Sequence, residues 1–185
     1  MQHRGVYSNA QAAALYDVIN PWAADTDHYA VMAQAVPSVL DVGCGTGILL
    51  SGLRGAGHPG RLVGVDPDVD ALDRARRRVD VEWVQADAAS MTWHDEFALA
   101  VMTGHAFQCL VTDEDVAASL TAIRRALVPG GRFAFETRNP VARSWERWAR
   151  EGPSPVVDPD GLQLEVRLTV PVVEGDVVTI EEATC

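Results

Sequence analysis

The sequence predicts an α/β fold in which a doubly wound, mostly parallel sheet carries helices on both faces. Strand and helix patterns alternate along the chain after Pro37. Several of the strands are apolar at nearly every position, which is typical of parallel strands covered on both faces. The chain has 185 residues, of which 48% are hydrophobic, enough for one substantial core. Ligands of such sheets bind at the carboxyl ends of the strands, so the residues after each strand are the candidates for chemistry.

Apolar periodicity and turn residues place the elements in order. Two helices are expected within residues 8–35, separated at Asn20-Pro21, because proline suits a helix start and disfavours helix at the residue before it. The last helix of the core opens with acidic residues and stops at a Pro-Gly-Gly sequence. The expected strands are 38–42, 61–66, 81–86, 97–103 and 131–137, and the expected helices between them are 46–56, 68–78 and 113–127.

The C-terminal part has a different pattern. A short helix is expected at 141–150, followed by a proline-rich, irregular link at 151–161. Residues 162–170 alternate apolar and polar side chains, which indicates a half-buried strand, and a turn leads into a second strand at 177–181. We therefore expect a C-terminal antiparallel β-hairpin, either added to the main sheet or forming a small second sheet.

Charge and composition exclude several classes of protein. The net charge is −11, and residues 151–185 carry eight acidic residues and one arginine, so the chain lacks the basic surface that nucleic acid requires. No apolar run reaches the length of a membrane span, and the N-terminus lacks the apolar segment of a signal peptide. Cys44, Cys109 and Cys185 are odd in number and widely spaced, which predicts neither a disulfide framework nor a metal site and fits a reducing cytoplasm.

The first core strand breaks into a glycine turn, Gly43-Cys44-Gly45-Thr46-Gly47, at the start of a helix. Its backbone N–H groups could bind a phosphate or a carboxylate. The dinucleotide fingerprint G-x-G-x-x-G is not met, because Ile48 occupies the third glycine position. A glycine turn alone does not define the ligand.

Acidic residues stand at three neighbouring strand ends, Asp41, Asp66 and Asp87. Asp66 could accept both hydroxyls of a ribose, or it could cap the following helix, a role that Asp68 could take instead. Asp87 could accept a hydrogen bond from an exocyclic amine or be an ordinary turn residue. Together the three acids suit a ligand with a cationic amine, a diol and an adenine.

This constellation resembles the class I S-adenosylmethionine-dependent methyltransferases over roughly residues 37–140. VLDVGCGTG is similar to their first motif, LVGVDPD to their second-strand acid, VEWVQADAASM to their third-strand segment and LVPGGRFAFETRNP to the entry to their fifth strand. The resemblance implies a Rossmann-like core (1–140) with N-terminal lid helices (1–36). It also implies S-adenosyl-L-methionine as cofactor and methyl transfer to a small-molecule acceptor.

The resemblance also implies roles for individual residues. Gly43 and Gly45 would leave room for the methionine part of the cofactor, which Asp41 would orient. Asp66 would hold the ribose, and Asp87 would bind the adenine edge. Taken with the neighbours of these residues and one lid tyrosine, the expected cofactor-binding set is Tyr16, Asp41, Gly43, Cys44, Gly45, Asp66, Pro67, Asp87, Ala88 and Thr103.

Methyl transfer is expected beside the segment that follows the fourth strand, residues 103–108. An in-line displacement depends on the alignment of nucleophile, methyl group and sulfur. If the acceptor must lose a proton, a general base is useful, and His105 is the candidate because histidine titrates near neutral pH. His105 could instead position the substrate or tether the turn.

The sequence departs from the family after residue 140, where the expected long amphipathic helix is missing. The 162–181 hairpin either replaces the last two strands of the family's sheet, or it is an inserted pair that covers the acceptor site. We favour the second case, in which residues 141–185 form an appended helix and hairpin and the chain stops before the family's usual last strands. One edge of the main sheet would then be open, and an open edge can pair with a second copy of the chain to form a homodimer. A truncated chain could bind the cofactor without turnover, which is the alternative function.

Overall fold

The structure, a computed structural model, describes residues 9–175 and 177–184. Expectations that fall on residues 1–8, on residue 176 and on Cys185 lie outside the described residues. The chain forms two compact units. The core unit comprises 22–137, and the terminal unit comprises the described residues up to Pro21 together with those from Arg138 onward.

The core unit contains a five-stranded parallel sheet with helices packed against it. The strand order is β3-β2-β1-β4-β5, so β1 lies at the centre with β2 on one side and β4 on the other. The fold class predicted from the sequence is confirmed. The strands are β1 (Ser38–Val42), β2 (Arg61–Asp66), β3 (Glu82–Gln85), β4 (Phe97–Met102) and β5 (Leu127–Phe135), and the helices of both units are α1 (Asn9–Ile19), α2 (Ala24–Gln34), α3 (Ile48–Gly55), α4 (Val69–Ala75), α5 (Asp113–Ala126) and α6 (Trp145–Trp148).

Alternation along the central strand supplies two hydrophobic cores, one on each face of the sheet. Leu40 and Val42 join one core, and Val39 joins the other, because successive strand side chains point to opposite faces. Each fully buried aliphatic side chain stabilises the fold by about 1.5–3 kcal/mol. Both cores lie below the carboxyl ends of the strands, where they support the site.

Helix starts in the core unit follow local capping chemistry. Asp68 caps α4, since its side chain accepts hydrogen bonds from the backbone N–H groups of Asp70 and Ala71. Thr112 and Asp115 form a reciprocal capping box at the start of α5. Of the acidic residues that the sequence placed at these helix starts, Asp68 and Asp115 therefore have a capping role.

The terminal unit holds α1, α6 and a second, antiparallel sheet with the order β6-β7-β8. These strands are β6 (Ser154–Val157), β7 (Gln163–Glu174) and β8 (Val177–Thr184). The expected hairpin is present as β7 and β8. The expectation of an irregular link at 151–161 was wrong, because β6 lies within that range. Pro155 is compatible with this position because β6 is an edge strand, which does not need every N–H in the ladder.

The structure tests two further expectations about the chain after α5, the placement of the hairpin and the start of the fifth strand. Of the two placements expected for the hairpin, the structure has the second, because β7 and β8 belong to a small sheet that is separate from the main sheet. Strand β5 begins at Leu127, four residues earlier than expected, and runs through the Pro-Gly-Gly sequence with a register shift opposite Phe97 and Leu99. An edge strand accommodates this irregularity.

None of the helices that the structure describes is long and apolar enough to cross a bilayer.

Candidate functional site

A sharp glycine turn follows β1. The N–H groups of Gly43 and Cys44 both donate to the carbonyl of Val65, at 2.8 and 3.1 Å, which ties the turn to β2. Gly43, Gly45 and Gly47 have φ values of 76°, 53° and 78°. Only glycine adopts this left-handed region readily, so the three glycines are required by the backbone path.

The surroundings of the three glycines differ. A Cβ at Gly43 would lie 2.6 Å from the Cβ of Ala106, and a Cβ at Gly47 would lie 2.4 Å from the ring of Trp83. A Cβ at Gly45 would meet no atom within 4 Å. The turn is thus packed on both sides of Gly45, while the space in front of Gly45 is open to a ligand.

Asp66, the last residue of β2, braces the turn. Its Oδ2 accepts a hydrogen bond from the N–H of Gly45 at 2.7 Å, and its Oδ1 accepts one from the N–H of Asp68 at 2.8 Å. Burial raises the pKa of Asp66, an effect that the two N–H donors oppose. Because Asp68 caps α4, the carboxylate of Asp66 keeps lone pairs for a ligand's hydroxyl groups.

Asp41 is a buried carboxyl group with an unsatisfied oxygen. Its side chain is 1% exposed, and its Oδ1 has no hydrogen-bond partner among the described residues. Burial, with a smaller contribution from the charge of Asp66, raises the pKa of Asp41 to about 7. An unpartnered polar atom in the interior is costly, so this oxygen indicates a donor or cation that comes from outside the protein.

Cys44 lies in the glycine turn, and its side chain is buried. Burial first, and then the charges of Asp41 and Asp66, raise the pKa of the Cys44 thiol well above its usual value. The thiol is therefore protonated at neutral pH and unsuited to act as a nucleophile. Cys44 contributes its backbone and its small apolar volume to the turn.

Trp83 on β3 supports the turn from below, a role that the sequence did not suggest. A Cβ at Gly64 would lie 2.5 Å from the Trp83 ring, so the ring rests directly on the β2 backbone. The Trp83 Nε1–H donates to the carbonyl of Arg78 at 2.9 Å, which fixes the ring's orientation. Glycine at positions 47 and 64 leaves the room that the indole fills.

Tyr29 on α2 is buried in the same core as Val39, and nearby carboxylates raise the pKa of its hydroxyl. Burial first, followed by the charges of Glu136, Asp25 and Asp41, raises the pKa of Tyr29 to about 12. Tyr29 therefore remains a hydrogen-bond donor at any physiological pH. Glu136 follows β5, and its effect on Tyr29 is not evident from the sequence.

Residues expected at the adenine lie after β2 and β3. Asp87 is exposed and precedes a short 3-10 turn, to which its side chain makes no capping hydrogen bond. Ala88 is half-buried, and Pro67 is exposed. Since β2 and β3 are parallel neighbours, these three residues belong to the same edge of the sheet as the glycine turn.

The segment after β4 carries Thr103, which is half-buried, and His105, which is exposed. Its turns are closed by hydrogen bonds from the N–H of Ala106 to the carbonyl of Thr103 at 3.3 Å and from the N–H of Gln108 to the carbonyl of His105 at 3.2 Å. Tyr16, the lid residue of the expected set, belongs to the other unit. It lies on α1 in the terminal unit and is 46% exposed.

A family model described as a methyltransferase domain matches residues 39–131. This match covers β1 to the first part of β5 and includes the glycine turn, Asp66 and Asp87. The chain belongs to this methyltransferase family, and the family membership predicted from the sequence is confirmed. S-adenosyl-L-methionine is the cofactor that this membership supports.

Known proteins agree with this assignment. The cypemycin N-terminal methyltransferase of a Streptomyces species is 36% identical over 107 residues, which are 56% of this chain and 43% of that protein. Solved structures similar to the fold include DesVI of Streptomyces venezuelae (TM-score 0.71, 21% identity, 98% of this chain and 84% of that one) and SAM-bound CalS10, an amino pentose methyltransferase from Micromonospora echinaspora (TM-score 0.66, 21% identity, 100% and 83%). At these identities the structures show the fold alone. The chain spans about half the length of the curated relatives that it matches.

Proposed function

We propose that this chain is a SAM-dependent methyltransferase that transfers a methyl group to a small-molecule acceptor by in-line displacement. The observation that carries the proposal is the buried Oδ1 of Asp41, which has no partner among the described residues. It lies at the end of β1, immediately before a turn whose Gly45 faces open space. A cofactor with an ammonium group would satisfy this oxygen.

In this proposal the chain's own residues bind the cofactor and orient it toward the acceptor. Asp41 would bind or orient the ammonium end of the cofactor, and Asp66 would accept the ribose hydroxyls while it holds the N–H of Gly45. Asp87, which the helical turn beside it does not use as a cap, would accept from the adenine amine. The cofactor supplies an electrophilic methyl group on a sulfonium. With these groups fixed, much of the rate enhancement comes from alignment with the acceptor.

His105 is proposed as the general base for an acceptor that must lose a proton. Three features support this role: its exposure, its position after β4, and the contact of Ala106, the next residue, with the glycine turn. Binding of the acceptor and anchoring of the turn remain the alternative roles for this imidazole.

Incubation of the purified chain with SAM and candidate acceptors tests the proposal, with S-adenosylhomocysteine (SAH) measured as the product. Acceptor-dependent SAH supports the methyltransferase. SAM binding with no product for any acceptor would favour a SAM-binding protein that lacks turnover. A thermal shift with NAD but not with SAM would contradict both.

Three more specific expectations, about oligomeric state, location and partners, belong to the same proposal. Within the described residues, β5 has β4 as its only sheet neighbour, so its open outer edge supports a homodimer, which light scattering on the purified protein would detect. The free cysteines Cys44 and Cys109 support a reducing, cytoplasmic location. The acidic net charge supports a partner other than nucleic acid.

A further inference from the structure

Most arginines of the core unit lie near the amino edge of the core sheet, whereas its carboxyl edge carries mainly acidic residues. Five acidic residues stand at or just beyond the carboxyl ends of the strands, whereas Arg138, three residues after the end of β5, is the one arginine of the described residues that follows a strand end as closely. The acidic residues are Asp41, Asp66, Asp68, Asp87 and Glu136. The helices run back toward the other edge and end there with arginines. The arginines near the amino edge are Arg54, Arg61, Arg74, Arg76, Arg77, Arg78, Arg124 and Arg125.

Many of these arginines are paired at the amino edge. Arg61 binds Glu82 and Glu96 at 3.0 and 2.5 Å, and Arg78 binds Asp80 at 2.8 Å. These pairs hold positive charge away from the carboxyl edge. A ligand at the carboxyl edge therefore meets an excess of carboxylates, which disfavours an anion and favours a neutral or cationic one.

An aromatic cluster lies near the same edge, formed by Phe133 and Phe135 in the last part of β5 and by Phe107, which follows β4. The rings of Phe107 and Phe135 stack with centroids 4.5 Å apart, and those of Phe133 and Phe135 stack at 4.9 Å. Phe107 and Phe133 also pack against the buried core, whereas Phe135 is 43% exposed. The cluster thus anchors Phe135 firmly while leaving part of its apolar surface in water.

We propose that the methyl acceptor carries no negative charge and has a flat apolar group that packs on Phe135. The inference rests on the proposed function and specifies its acceptor. Phe107 lies two residues after His105, so one ring of the cluster and the candidate base belong to one short segment. An apolar group on Phe135 would hold the acceptor beside that segment, and the carboxylate-rich edge would select against acids.

Binding of simple probes to the full chain saturated with SAH tests this inference. The probes are 2-phenylethylamine, ethylamine, which lacks the ring, and 3-phenylpropanoate, which exchanges the cation for an anion. Saturation-transfer NMR titrations should show 2-phenylethylamine binding at least tenfold more tightly than either of the others. Equal or tighter binding of 3-phenylpropanoate or ethylamine would overturn the inference, and so would the absence of binding by all three.

A matched pair of variants locates the effect. Phe135→Ala should weaken 2-phenylethylamine binding at least tenfold and leave the SAH dissociation constant unchanged. Leu120→Ala removes a side chain of similar exposure (37%) on α5 and should change neither value. Unchanged probe binding in Phe135→Ala would overturn the role of Phe135. Failure of the unmodified chain to bind SAH would instead refute the proposed function.

Discussion

Gly43 and Ala106 touch across the site: a Cβ at Gly43 would lie 2.6 Å from the Cβ of Ala106. This contact joins the glycine turn after β1 to the segment after β4 that carries His105. The proposed methionine end of the cofactor and the proposed base are thereby held in a fixed relationship. Alignment of this kind is what an in-line methyl transfer requires.

Gly43→Ala should disrupt this contact. The new methyl group would clash with Ala106, and φ of 76° is unfavourable for alanine, so we expect a loss of about 1–3 kcal/mol in the free energy of unfolding. SAM binding should weaken more than tenfold. Urea unfolding and calorimetric titration measure the two effects. Gly55→Ala is the control, because a Cβ there meets nothing within 4 Å and α3 should be unchanged or slightly more stable.

Gly45→Ala should separate folding from binding. No protein atom lies within 4 Å of the added Cβ, so only the backbone strain of φ 53° acts on stability. We expect a smaller loss of stability than in Gly43→Ala but an equal or greater loss of SAM affinity, because the methyl group enters the space assigned to the cofactor. A Gly45→Ala protein with unimpaired SAM binding would show that the cofactor does not approach this face.

Asp66→Asn should weaken both the turn and ribose binding. The amide retains one acceptor oxygen, so the N–H of either Gly45 or Asp68 loses its partner. The expected cost is about 1–3 kcal/mol in the free energy of unfolding, with a SAM dissociation constant raised at least tenfold. Asp68→Asn is the matched control, since asparagine caps a helix about as well as aspartate. Equal effects of the two substitutions would argue against a ligand role for Asp66.

Asp41 should make stability and SAM binding depend on pH in opposite directions. Burial and the charge of Asp66 raise its pKa to about 7 in the folded chain, so between about pH 4 and pH 7 the folded state binds more protons than the unfolded state. The free energy of unfolding should fall as pH rises through this window. The ionised form binds an ammonium, so SAM affinity should rise about tenfold from pH 6 to pH 8. In Asp41→Asn both dependences should be largely lost, and an unchanged profile in that variant would contradict the assignment.

His105→Ala tests the general base. If His105 removes a proton from the acceptor, turnover should fall by about 10²–10⁴-fold, and the rise in rate through the histidine pKa should vanish while SAM affinity is retained. The measurement is SAH release with the true acceptor across pH 6–9. Unchanged turnover across that range would rule out the base. A raised KM with kcat intact would assign His105 to acceptor binding.

The sequence predicted the core unit well because its signals are local. Near-continuous apolar strands and glycine breaks follow directly from burial on both faces and from the backbone path, and they place Asp41, Asp66 and Asp87 at one edge of the sheet. The sequence left open whether Asp66 or Asp68 caps α4, and the structure shows that Asp68 does. These features depend on neighbours within a few residues.

Features that depend on distant contacts could not be predicted. Trp83 fills space left by Gly47 and Gly64, which lie outside β3, and Phe135 stacks on Phe107, which lies after β4 and before α5. Strand β6 is short and contains Pro155, so its pattern resembles a loop until β7 supplies its partner. Nothing local marks Glu136 as a residue whose charge affects Tyr29. Each of these features is specified by tertiary packing rather than by periodicity.

The central claim is tested most directly by a crystal structure of the chain with SAH. The account predicts the amino-acid end over Gly43–Gly45 with its ammonium near Asp41, both ribose hydroxyls on Asp66, and the adenine beside Asp87 and Ala88. The position of the missing methyl group should face the segment that carries His105. Density for SAH away from the glycine turn, or an Asp41 carboxylate that remains without a partner in the complex, would contradict the account.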